Sequence, residues 1–161
     1  GGVLRSLQLG SERQLVVLET SKELPGVRQG AGPVLRVGDR MTCFDPRMDL
    51  WLAARAADLA KQDTGFAYQR ALMTGGACEA SLYMLHGRTV GALALALGNY
   101  HNMTPEGGLA PEFVSVADFE HELQLLEDLG ARPPAPGTAA LRRAELDAVF
   151  DRLGPRLLPP H

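Results

Sequence analysis

"TVGALALALG", residues 89–98, carries no charge and alternates alanine with leucine through its centre. A run that is apolar on both of its alternating faces suits a strand covered from two sides, as in an α/β sheet with helices above and below. It is about half as long as the ~20 residues a bilayer-spanning helix needs. The run ends at Gly98-Asn99-Tyr100 and delivers a histidine, His101, into a polar irregular stretch, "HNMTPEGG" at 101–108. A buried strand with an imidazole just past its carboxyl end is therefore the first feature that bears on function.

Working outward, the pattern alternates in period. "RQLVVLET" (13–20) is a β-branched run ending in a carboxylate, and "GPVLRVGD" (32–39) is a short strand set between glycines. "DPRMDLWLAARAADLAKQDT" (45–64) has helical spacing, with apolar residues at Met48, Leu52, Ala56, Leu59 and Ala60. Asp45 before Pro46 reads as an N-cap followed by proline in the first turn. "FAYQRALMTGG" (66–76) reads as a strand closing on a Gly-Gly turn and "ACEASLYMLH" (77–86) as a helix. "VSVADFEHELQLLEDLG" (114–130) reads as an amphipathic helix with Phe119, Leu123 and Leu126 on its apolar stripe. The order β, β, α, β, α, β, α predicts a mixed, mostly parallel α/β sheet with helices on both faces. Residues 1–130 form the expected main unit. "ARPPAPGTAA" (131–140), with three prolines, reads as a loop and 141–160 as a second amphipathic helix, together an appended 131–161 segment.

Composition narrows the classes. The 161 residues are 45% hydrophobic and 22% charged, enough to bury one core. Sixteen Lys and Arg against nineteen Asp and Glu give a net charge of −3, without the basic stripe that nucleic acid demands, so nucleic-acid binding is not expected. No membrane segment is visible, and two cysteines outside any CxxC pair, Cys43 and Cys78, suit a reducing compartment; a cytoplasmic location is expected.

Ligands of open α/β sheets gather at the carboxyl ends of strands. Two candidates fall there: Glu19, closing "QLVVLE", and His101. A carboxylate and an imidazole are donors that zinc accepts, but their wide separation is no local metal motif, and a hydrogen-bonded loop histidine remains open. The other candidates read blandly. Cys78 with His101 as thiol and base has no supporting consensus. His121 sits between glutamates on a helix and is expected to be solvated or ion-paired, and "HELQLLED" lacks the second histidine of the zinc helix. "GAGP" and "TGGACE" lack the GK[ST] of a phosphate loop and read as turns. Glu106 and Glu112 are loop acids, His86 and His161 sit at a turn and at the terminus, and Trp51 is a core or interface residue.

Six segments in order, "VVLET", "PGVRQGAGPVLRVGD", "DPRMDLWLAARAADLA", "YQRALMTGGACEAS", "GRTVGALALALGNYHN" and "VSVADFEHELQLL", give the chain a resemblance over about residues 15–129. It resembles the C-terminal half of the catalytic domain of the glutamyl/leucyl aminopeptidases that form tetrahedral assemblies, within the zinc exopeptidase group. The resemblance implies a two-metal site for divalent ions, zinc or cobalt, in which His101 binds one ion and Glu19 the other. It also implies a peptide substrate and a homo-oligomer. Departures exist: the family usually has Asp where Glu19 stands, and Glu79 stands where it tends to have Thr-Asp-Ala. The family's other His, bridging Asp and Glu-Glu pair, which includes the general base, lie upstream of the Glu19 strand and are not in this sequence. The chain, which opens on Gly-Gly without Met, is therefore expected to be a fragment of a longer metallo-aminopeptidase, inactive alone and with no catalytic base of its own. Two alternatives remain open: an exopeptidase-like module that binds peptide or a partner without turnover, and an amino-acid deacylase on the same scaffold.

Overall fold

The computed structural model describes residue 8, residues 13–134, and residues 143, 146–149 and 151–153. Four strands form one sheet: β1 (Leu15–Lys22), β2 (Val34–Asp39), β3 (Gln69–Met73) and β4 (Val90–Leu97). Three helices pack on it: α1 (Pro46–Gln62), α2 (Glu79–Leu85) and α3 (Val116–Ala131). The spatial order is β1-β4-β2-β3. β1 runs parallel to β4 and β2 parallel to β3, while β2 and β4 are antiparallel, so the sheet is mixed and mostly parallel as expected.

The 89–98 run explains why the layers close. All eight residues of β4 are buried. Its leucine face carries Leu93 into a core with Leu35, Met48, Leu52, Leu125 and Leu129, so α1 and α3 cover this side. Fully burying each such leucine contributes roughly 1.5–3 kcal/mol. The opposite face carries Val90 and Ala92 onto Phe44, Ala80 and Tyr83, under α2, and Ala94 and Ala96 onto Val27 and Met73. Helices on both faces are thus present. At Gly91 an added Cβ would come within 2.9 Å of Leu52 and 3.2 Å of Met48, so glycine there lets α1 lie close on the sheet.

α1 starts as the sequence indicates. Asp45 accepts from the Arg47 amide at 2.8 Å, and Met48, Trp51, Leu52, Ala56 and Leu59 are buried. Trp51 is a core residue whose Nε1 donates to the Arg132 carbonyl at 3.1 Å, tying α1 to the end of α3.

α3 departs from the reading. Its buried residues are Asp118, Glu122, Leu125 and Leu129, whereas Phe119 and Leu123 are exposed. The stripe is rotated because two of its positions are acids. Asp118, 1% exposed, accepts from the amides of Gly30 and Gly32 at 2.8 and 2.7 Å, so the helix buries a carboxylate to hold a turn. His121 is half-buried, with its ring 5.3 Å from that of Phe66.

No helix among the described residues is long and apolar enough to cross a membrane. Residues 135–140, and most of the 141–160 stretch read as a helix, lie outside the described residues; 143, 146–149 and 151–153 are helical and exposed.

Candidate functional site

β1 and β4 run parallel and end together, at Lys22 and Leu97; His101 follows this end and Glu19 lies short of it. Glu19 does not close its strand, because β1 continues to Lys22. It pairs with Ala94, so its backbone lies three residues, about 10 Å at roughly 3.3 Å per residue, below the last β4 residue, Leu97. The extension follows from pairing: β4 offers a ladder as far as Leu97, and Thr20, Ser21 and Lys22 complete it.

Glu19 is half-buried and lines a cleft of about 90 Å³ with Ser21, Lys22, Arg36, Cys78 and Tyr100. The wall that carries Cys78 is set by Asp39. Its carboxylate accepts from the amides of Met41, Thr42 and Cys78 and from the Ser81 hydroxyl at 2.6 Å. Burial opposes the charge of Asp39, yet the Ser81 hydroxyl and these amides together hold its carboxyl below the ordinary range. One buried acid thus pins the end of β2 to the start of α2.

Cys78 is no activated nucleophile. Burial pushes its thiol up, against the partial relief that the Arg36 charge supplies, which favours the neutral thiol.

His101 follows β4 in a one-turn 3-10 segment, Tyr100–Asn102. Asn99, His101 and Asn102 all have positive φ, at 50°, 59° and 58°. Three residues in the left-handed region within four positions is uncommon even for asparagine and histidine, so the surroundings must hold the turn. They do so from three directions. The His101 amide donates to Glu112 Oε1 at 2.8 Å, and the imidazole stacks on Tyr100 at 3.9 Å between centroids. Gln29 donates to the carbonyls of Ala96 and Phe113 at 3.1 and 2.8 Å, joining the two ends of the loop. The imidazole is exposed and lines a second, wider cleft with Lys22, Glu23, Asn99, Tyr100 and Met103. Glu112, read from sequence as a solvated loop acid, is exposed and also fixes this backbone.

Glu19 and His101 therefore occupy adjoining clefts that share Lys22 and Tyr100. Among the described residues no group of three His, Cys, Asp or Glu is placed to hold a metal ion, so these donors alone do not complete a site.

The residue the sequence reading missed is Arg36. It stands in the middle of β2, only 4% exposed, and its guanidinium lies 5.9 Å from the Phe44 ring centroid. Its signal was an arginine inside the apolar run "VLRV", where a strand buried on both faces has no outlet for a charge.

No family model matches the chain, and no curated protein matches it. Solved structures do. The TET1 peptidase of Pyrococcus horikoshii, which can assemble into a tetrahedron or a large octahedral shell, is 19% identical with a TM-score of 0.62, over 80% of this chain and 36% of that one. A TET aminopeptidase from a marine-sediment thaumarchaeon is 17% identical with a TM-score of 0.55, over 79% and 35%. An aminopeptidase from Desulfurococcus kamchatkensis is 21% identical with a TM-score of 0.54, over 72% and 32%. The chain thus has a tetrahedral-aminopeptidase-like fold and spans about a third of the length of these peptidases.

Proposed function

We propose that this chain forms part of the catalytic domain of a two-metal aminopeptidase that removes N-terminal residues from peptides. In this reading His101 and Glu19 each give one ligand to a different divalent ion, zinc or cobalt. The remaining donors and the base that activates water come from residues outside this sequence. When bound, the ions supply Lewis acidity and an acidified water. This chain's part is to hold two donors at one end of paired parallel strands.

The observation that carries the reading is the juxtaposition of the two donors. On a fold like that of known aminopeptidases, a carboxylate and an exposed imidazole, the latter on a left-handed turn, line adjoining clefts joined by Tyr100. Left-handed non-glycine backbone held by its surroundings clusters at working sites. Assembly into homo-oligomers belongs to the same proposal, supported by the shell-forming peptidase that shares the fold.

A second reading, a module that binds peptide without turnover, draws support from one feature. A buried cation, Arg36, lines the same cleft as Glu19 and opposes a divalent ion there.

Metal content separates the two. In the full-length polypeptide, His101→Ala and Glu19→Gln are each expected to lower bound zinc, measured by atomic emission after dialysis, with far-ultraviolet circular dichroism unchanged. Zinc content equal to that of the parent in both variants would remove the ligand assignment.

A further inference from the structure

The cleft that Glu19 lines contains an electrostatic imbalance that the metal reading does not use. Arg36 projects from β2 on the same face as the alanines of β4, since it pairs with Ala92 and alternates with Leu35, which enters the opposite core. Ala92, Ala94 and Ala96 are short, and the arginine uses the space they leave to reach β1, where Nη1 lies 3.4 Å from the Ser21 hydroxyl. That long contact is its one hydrogen bond among the described residues. Nε is buried with no partner, and no carboxylate stands within ion-pair distance of the guanidinium among the described residues. Glu19 lines the same cleft without closing on it. A buried guanidinium is unfavourable unless an anion or a full set of acceptors compensates its charge. The face of Phe44 supplies only part of that compensation.

The cleft is open to such an anion. Its volume of about 90 Å³ is roughly that of three waters, enough for a carboxylate group and the carbon that bears it. Lys22 adds a second positive charge at the rim and the Ser21 hydroxyl a further donor.

We propose that the cleft between β1 and β2, laid over the alanine row of β4, is an anion subsite in which the Arg36 guanidinium binds a small carboxylate. The inference goes beyond the aminopeptidase reading and needs no metal. The carboxylate belongs either to a short peptide's free carboxyl end or to a small organic acid, and both present the same group to Arg36.

The test is a nuclear magnetic resonance titration of the metal-free chain with sodium acetate, with chloride exchanged to keep ionic strength constant. The expected result is saturable movement of the Arg36 Nε–H signal and of the Ser21 and Cys78 amides. Arg36→Met fills the volume without charge and is expected to weaken acetate binding at least tenfold. Glu19→Gln, which removes a neighbouring negative charge, is expected to tighten it several-fold. Alanyl-alanine binding where its amide does not would assign the carboxylate to a peptide end, whereas acetate binding alone would assign it to a free acid. Movement that does not saturate, or equal binding in Arg36→Met, overturns the proposal. Should Arg36→Met not fold, Glu19→Gln decides: unchanged or weaker acetate binding overturns it.

Discussion

At the scale of single residues, the molecule places several charges where they are costly, and each has a local consequence. Asp118 and Asp39 are satisfied by amides and a hydroxyl and act as fasteners. Glu122 is not. It is 6% exposed, its Oε1 has no partner among the described residues, and burial pushes its carboxyl up to about 7. An unfolded glutamate titrates near 4.3, so between about pH 4.3 and 7 the folded chain holds a proton that the unfolded chain has lost. The stabilisation tied to that proton is full below about pH 4.3, falls as pH rises, and is gone above about 7, a loss of about 4 kcal/mol at most. Urea denaturation from pH 4.5 to 8 should therefore show Glu122→Gln more stable than the parent at pH 8 and less pH-dependent; parallel curves would refute the assignment. Glu19, His101 and the Asp45 cap were legible because short signals mark them: a strand-end acid, a histidine after a buried run, Asp before Pro. Arg36 and Glu122 were not, because a charge in an apolar pattern reads as a surface position until the packing shows otherwise.

At the scale of elements, β4 and α1 were legible because apolar residues alone set their patterns. α3 was not, because its buried stripe includes Asp118 and Glu122, and periodicity that counts only apolar residues settles on Phe119 and Leu123 instead. The end of β1 was hidden for a related reason: Lys22 extends the strand only because Leu97 is there to pair with it. The turn that Asp118 fastens gives a direct test. Gly32 has φ +86°, and a Cβ there would overlap the Ala67 carbonyl, whereas Gly87, at φ +71°, has open space around it. Gly87→Ala is expected to cost roughly 1–2 kcal/mol, the left-handed penalty alone. Gly32→Ala is expected to exceed about 3 kcal/mol, because backbone must move as well. Denaturant midpoints for the two variants should differ accordingly, and equal midpoints would mean that the 30–32 turn is not held as described.

At the scale of the whole molecule, the sheet has two outer strands, and β1 is the longer at eight residues. It pairs with β4 on one side and exposes Leu18 at 52%. Among the described residues no strand pairs with its other side, and a free edge of that length is a template for another strand. Light scattering is expected to give a mass above the 17.3 kDa monomer that falls towards it in Leu18→Lys; a monomer at all concentrations would contradict this. The fold class could be read from the order of strands and helices, and the structures that share the fold agree with it. The site could be read only in part, since its two donors lie in adjoining clefts and no third donor groups with them among the described residues. The most direct test of the aminopeptidase reading is hydrolysis by the full-length polypeptide, loaded with zinc or cobalt, on parallel panels of aminoacyl and N-acyl-amino-acid substrates. The account predicts metal-dependent release of N-terminal residues, reduced about a hundredfold or more by His101→Ala. Absence of turnover on every aminoacyl substrate by the metal-loaded protein, or full activity in His101→Ala, would contradict it.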